Sequence, residues 1–127
     1  MTAEEVMNSP VLSCAPDWPV GRALDLMRER GISHLPVVED ERVVGLVSDR
    51  DLLQHSKEAE TRVRTIMTNR LLTARPQSNL WLVARIMLDE VVHCVVIVDE
   101  DANLRGILTS LDLLGCMSHH APIEVWM

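Results

Sequence analysis

Phe and Tyr are absent from this 127-residue chain, and Trp occurs only three times. Stacking platforms for single-stranded nucleic acid rely on such rings, so that mode of recognition is missing. Only five Gly are present, and none belongs to a loop that would cradle phosphates. Basic side chains are scarce: 12 Lys and Arg face 19 Asp and Glu, for a net charge of −7. That balance favours solubility and opposes binding to nucleic acid or to an anionic membrane. The three Cys (Cys14, Cys94 and Cys116) are odd in number and lack metal-ligand spacing. A disulfide framework is therefore not expected, and a reducing cytoplasm is. No apolar run approaches the roughly 18–20 residues that span a bilayer. The acidic start, MTAEEVMNSP, does not resemble a secretory leader.

What the chain does have is 47% hydrophobic residues, a length suited to one compact domain, and a repeat. VVGLVSDRDLL (43–53) returns as LRGILTSLDLL (104–114). Upstream, VMNSPVLSCAP (6–16) aligns with IMTNRLLTARP (66–76), and ALDLMRERGISHLPVVED (23–40) with VARIMLDEVVHCVVIVDE (83–100). Met7 falls on Met67, Pro16 on Pro76 and Met27 on Met87. One extra residue near Asn103 then brings Gly45 onto Gly106, Ser48 onto Thr109 and Asp51 onto Asp112. Packing needs the apolar residues; it does not need a hydroxyl and a carboxylate repeated in register.

Each copy predicts β-α-β-β-α. A short strand (11–14; 71–74) ends at Pro16 or Pro76. A helix follows, with Pro19 at its first position in copy one and Ser78 as its N-cap in copy two. Val20, Ala23, Leu24 and Met27 form one apolar stripe; Leu80, Val83, Ala84 and Met87 form the other. Gly31 suits the first helix end, and Val91 stands in its place in the second. Two strands joined by the acidic turns EDE and DEDAN follow, then a short helix from Asp49 or Ser110. A copy of about 50 residues buries too little apolar surface to be stable alone. The fold class is therefore α/β (α+β): two repeats packed with pseudo-two-fold symmetry, leaving two clefts at the seam. The expected boundaries are repeat one at 1–54, a linker at 55–65, repeat two at 66–117 and a tail at 118–127.

Paired units ending in Gly, two apolar residues, Ser or Thr, and an Asp three residues on resemble tandem cystathionine-β-synthase (CBS) domains. Such a pair is called a Bateman module, and this one resembles the stand-alone prokaryotic type. The resemblance runs from about Val6 to Leu114 and is closest in GISHLPVVEDERVVGLVSDRDLL; in the second copy Val96 stands where the first has Pro36. The resemblance implies a non-catalytic regulatory module that binds an adenosine compound such as AMP, ADP, ATP, S-adenosylmethionine or NAD, and the scarcity of cations, with Lys57 the single Lys, favours AMP. No cofactor is required. Thr109 and Asp112 would close one cleft, against Ser13, Ile32, Ser33 and His34. Ser48 and Asp51 would close the other, against Thr73, Val92, His93 and Cys94. A carboxylate accepts two hydrogen bonds from a ribose diol, and its charge strengthens them. His93 and Arg50 are the candidates for phosphate contact.

Simpler readings stand beside these. An Asp in a first helical turn stabilises the helix by about 0.3–1 kcal/mol without any ligand. His119 and His120 are adjacent, which is not the spacing of a closed zinc site, so no metal is expected. No nucleophile has a base at usable spacing, so no catalysis is expected. Trp18, at a helix start it cannot cap, and Trp126, in the apolar tail HAPIEVWM, suit homodimer contacts, and the resemblance implies that the two copies pair through their helices. The alternative function is a dimerisation or protein-interaction platform whose clefts stay empty. The regulated partner is not legible.

Overall fold

The computed structural model describes residues 1–118. Along the chain run α1 (Ala3–Val6), α2 (Val20–Arg30), β1 (His34–Glu39), β2 (Arg42–Ser48), α3 (Asp49–Gln54), a 3₁₀ turn (Ser56–Glu58) and α4 (Val63–Ile66). The second half continues with β3 (Thr73–Ala74), α5 (Leu80–Glu90), β4 (Cys94–Val98), β5 (Leu104–Thr109) and α6 (Ser110–Ser118). The class is mixed α and β with two small sheets. Strands β1 and β2 pair antiparallel; β3 runs parallel to β4, which pairs antiparallel with β5. The expected strand at 11–14 shrinks to one parallel bridge, Cys14 to Val37. That bridge is the counterpart of the Ala74–Ile97 pair in the second sheet.

The helices follow the apolar stripes. Val20, Ala23, Leu24 and Met27 are buried along α2; Leu80, Val83 and Met87 are buried along α5. Helix α2 stops at Gly31 with φ 63, a left-handed turn that costs Gly nothing. Helix α5 stops at Val91 in the same conformation, φ 54, where a β-branched side chain is strained. The caps differ from the sequence expectation. Pro19 is the residue before α2 and not its first. Asn79 caps α5, its Oδ1 accepting from the backbone N–H groups of Trp81 (2.9 Å) and Leu82 (3.3 Å). Ser78 instead accepts from the Arg75 N–H at 2.9 Å and closes the preceding turn.

The two cores are closed by crossed segments. Val63 of α4 is fully buried among Val20, Met27, Leu35 and Val47 of the first half. Ala3 of α1 is fully buried among Leu80, Met87, Val95 and Leu108 of the second. Matching backbone bonds hold both crossings. The N–H of Ala3 reaches the Ser78 carbonyl at 2.9 Å, as that of Val63 reaches Trp18 at 2.9 Å. Asn8 exchanges a pair of bonds with Ile107, as Thr68 does with Leu46. The packing units therefore cut across the repeat boundaries. The start of the chain completes the second half, and residues expected in the linker complete the first.

This crossing explains the paired Met and Gly positions. A Cβ on Gly45 would lie 2.6 Å from Met67 Sδ and 3.0 Å from the Thr68 carbonyl oxygen. A Cβ on Gly106 would collide with Met7 in the same way. The incoming segment lies flat on the strand only because the strand has no side chain there. Both hairpins also shift register at this point, between Val37 and Val38 and between Ile97 and Val98.

Candidate functional site: two clefts at the seam

The repeated hydroxyl and carboxylate form a reciprocal cap in each copy. Asp51 donates its backbone N–H to Ser48 Oγ at 3.2 Å, and Asp51 Oδ2 accepts from the Ser48 N–H at 3.2 Å. In the second copy Asp112 donates to Thr109 Oγ1 at 3.3 Å, and its Oδ2 accepts from the Thr109 N–H at 2.8 Å and hydroxyl at 2.9 Å. Capping accounts for the three-residue spacing. It leaves Oδ1 of each carboxylate without a hydrogen bond among the described residues.

A cleft of about 400 Å³ opens between the halves on the α6 side. The segment Pro10, Val11 and Leu12 forms one wall, and Ile107, Thr109 and Leu111 form another. Ile32, Ser33 and His34 complete it. A second cleft of about 220 Å³ opens on the α3 side. Ser48 and Asp51 lie on one wall, Leu71 and Leu72 on another, and Val92, His93 and Cys94 face them. His34 and His93 line both clefts and partition them.

Most of the residues expected on each wall come together. Ile32, Ser33, His34 and Thr109 line the larger cleft; Ser48, Asp51, Val92, His93 and Cys94 line the smaller. Four do not line the expected cleft. Ser13 and Thr73 lie one step beyond the segments 10–12 and 70–72 that meet the clefts. Arg50 lies on a separate open hollow with Asp49, Leu53 and Gln54. Asp112 is not among the residues lining the larger cleft, and its Oδ2 receives the Asn8 side-chain amide at 2.9 Å. Lining residues beyond those expected include Ser110 and the aliphatic walls at 10–12, 46, 71–72, 107 and 111, together with the polar side chains of Asn8 in the larger cleft and Thr68 and Arg70 in the smaller. The repeat alignment contained a signal for the last three, since it places Asn8 on Thr68 and Pro10 on Arg70.

The electrostatics suit binding better than covalent chemistry. Burial pushes the Cys14 thiol up to about 12, and burial with the nearby Asp112 carboxylate takes Cys94 to about 12. Both thiols stay neutral and poorly nucleophilic at pH 7. Burial lowers the pKa of His34 below its ordinary value and His93 adds to this, while Asp49 and Asp51 oppose it. His34 is thus neutral at pH 7, with a lone pair or an N–H to offer. Among the described residues no group of three His, Cys, Asp or Glu could hold a metal ion. No helix among them is long and apolar enough to cross a membrane. His119, His120 and the tail with Trp126 lie outside the described residues.

A sequence profile of the CBS domain matches this chain twice, at residues 3–58 and 63–119. An uncharacterised protein of Methanocaldococcus jannaschii is 31% identical over 112 residues, covering 87% of this chain. The chain spans 42% of that relative's length. The structure of CBSX2 in complex with AMP is similar at TM-score 0.82 and 30% identity, covering 94% of this chain and 97% of CBSX2. The CBS domain pair of protein MJ0100, solved with 5′-methylthioadenosine and S-adenosyl-L-methionine, is similar at TM-score 0.88, covering 95% of this chain and 98% of that one. Its 21% identity makes that likeness one of fold. With the profile matching both copies and the tandem architecture shared with CBS pairs, this chain belongs to the CBS domain family.

Proposed function

We propose that the protein is a non-catalytic regulatory module that binds an adenosine-containing ligand at its seam and relays occupancy to a partner protein. The observation that carries this reading is Asp51. Its carboxylate lies on a wall of the smaller cleft, beside Ser48 and opposite Val92, His93 and Cys94. A vicinal diol on a ribose would be held by Oδ1 of Asp51, while Oδ2 stays in the cap. Leu46, Leu71 and Leu72 offer aliphatic faces to a purine. The bound AMP of CBSX2 supports the ligand class. AMP is the favoured ligand, ahead of ADP, ATP, S-adenosylmethionine and NAD, because the clefts hold few cations. Each half's core is shut by a segment that crosses the seam, so a ligand wedged there bears on both halves. Titration calorimetry with AMP tests the reading. Micromolar binding, weakened at least tenfold by Asp51→Asn, is expected; no heat with AMP or the other compounds contradicts it.

A homodimer through the helices is part of the proposal, with changed anchors. Trp18 is half-buried on its own core, and the Arg22 guanidinium stacks 3.7 Å above its ring. The apolar surface lies instead on the second half: Leu82 (64% exposed) and Leu88 (75%) on α5, Leu111 (76%) and Leu114 (60%) on α6. A patch of this kind fits a second copy of the chain. It also favours the alternative, a platform that pairs with its clefts empty. Sedimentation with and without AMP separates the two: dimers indifferent to AMP, together with null calorimetry, support the platform.

A further inference from the structure

We propose that the two clefts hold different ligands. The smaller binds a phosphorylated adenosine through Arg70, and the larger binds an uncharged adenosine compound. The proposal deepens the adenosine reading above and rests on it.

The two sites occupy equivalent places but differ in chemistry. Arg70 lines the smaller cleft, and Pro10 holds the matching place in the larger. Arg70 is exposed and enters none of the ion pairs among the described residues. Its guanidinium is therefore available to a phosphate, which it grips bidentately. No Lys or Arg is among the described residues lining the larger cleft. Its walls are chiefly Pro10, Val11, Leu12, Ile32, Ile107 and Leu111. A phosphate dianion placed there would lose water without gaining a cation. His34 and His93 line both clefts and so do not distinguish them.

The sugar ends differ too. Asp51 lies on its cleft wall with Oδ2 accepting one backbone bond. Asp112 Oδ2 accepts three, one from Asn8, and it is Asn8 that faces the larger cleft. A ribose in the larger cleft meets a neutral amide and the Thr109 hydroxyl, which recognise hydroxyls without any charge.

Calorimetry of the full chain with two probes, AMP and 5′-methylthioadenosine, decides it. Wild type, Arg70→Ala and Leu12→Asp are compared; both side chains are exposed, and unchanged thermal melting verifies the fold. One AMP per chain is expected, weakened at least tenfold by Arg70→Ala and changed less than twofold by Leu12→Asp. One thioether per chain is expected with the opposite pattern. Two equivalent AMP sites, or AMP affinity indifferent to Arg70→Ala, would overturn the asymmetry and leave the adenosine reading standing. Binding of neither probe to wild type would overturn both.

Discussion

Gly45 and Val91 show how single side chains set local limits. An Ala at 45 puts a methyl 2.6 Å from Met67 Sδ, so either the strand or the crossing segment must move. Gly45→Ala is expected to destabilise by about 1–3 kcal/mol, the range for overpacking, in urea unfolding. Much of that loss should be recovered in the double variant with Met67→Ala, which vacates the contested space. Val91 is the reverse case: its left-handed φ of 54 strains a side chain that is 78% exposed and packs little. Val91→Gly should raise stability by about 1 kcal/mol. Gly31, already at φ 63 in the first copy, is the internal control. At His34 the sign of the pH effect follows from burial. The folded state binds this proton less readily than the unfolded chain, whose pKa is near 6.5. The His34 contribution is thus fully present above pH 6.5 and is lost as pH falls toward the lowered folded value. An NMR titration should place His34 below 6.5, and His34→Gln should flatten the acid limb of the stability profile.

At the scale of elements, the crossing of α1 and α4 organises the molecule. Removing residues 1–8 takes Ala3 out of the second core and strips Asn8 from Ile107. Hydrogen exchange in that truncated chain should accelerate at β5 and α5 and stay slow at β1 and β2. Equal acceleration in both halves would contradict the crossed packing. The repeat, its strands and the helix stripes were legible in the sequence because the strands are near-continuous apolar runs, with Cys94–Val98 buried at every position, and because burial imposes a period of about 3.6 residues on the helices. The crossing was not legible. Two aligned copies look identical whether each leading segment packs on its own half or on the other, so alignment carries no signal for the exchange. The cleft walls were legible where capping fixes geometry, as at Ser48–Asp51. They were misplaced by a step at Ser13 and Thr73, because the chain meets the cleft just before it reaches the sheet. Arg50 falls outside the lining of both clefts because adjacent helical residues point in different directions, and Asp51 is the one that lines the smaller cleft.

At the scale of the whole molecule, pseudo-symmetry sets the architecture and small departures from it set the chemistry. The exposed apolar residues crowd the second half's helices. On α2 the exposed positions are instead charged: Arg22, Asp25, Arg28, Glu29 and Arg30. Pairing two copies through α5 and α6 should therefore be lost in the double variant Leu88→Lys and Leu114→Lys, seen as a fall to monomer mass in sedimentation. The same variant should still bind AMP if the clefts work within one chain. The central claim is that one seam cleft, walled by Asp51 on one side and by Val92, His93 and Cys94 on the other, receives an adenosine ligand. NMR titration of the labelled protein with AMP tests it most directly. The account predicts that the backbone amides of residues 48–51 and 92–94 shift together and saturate along one binding curve. An absence of shifts, or shifts confined to one wall, would contradict it.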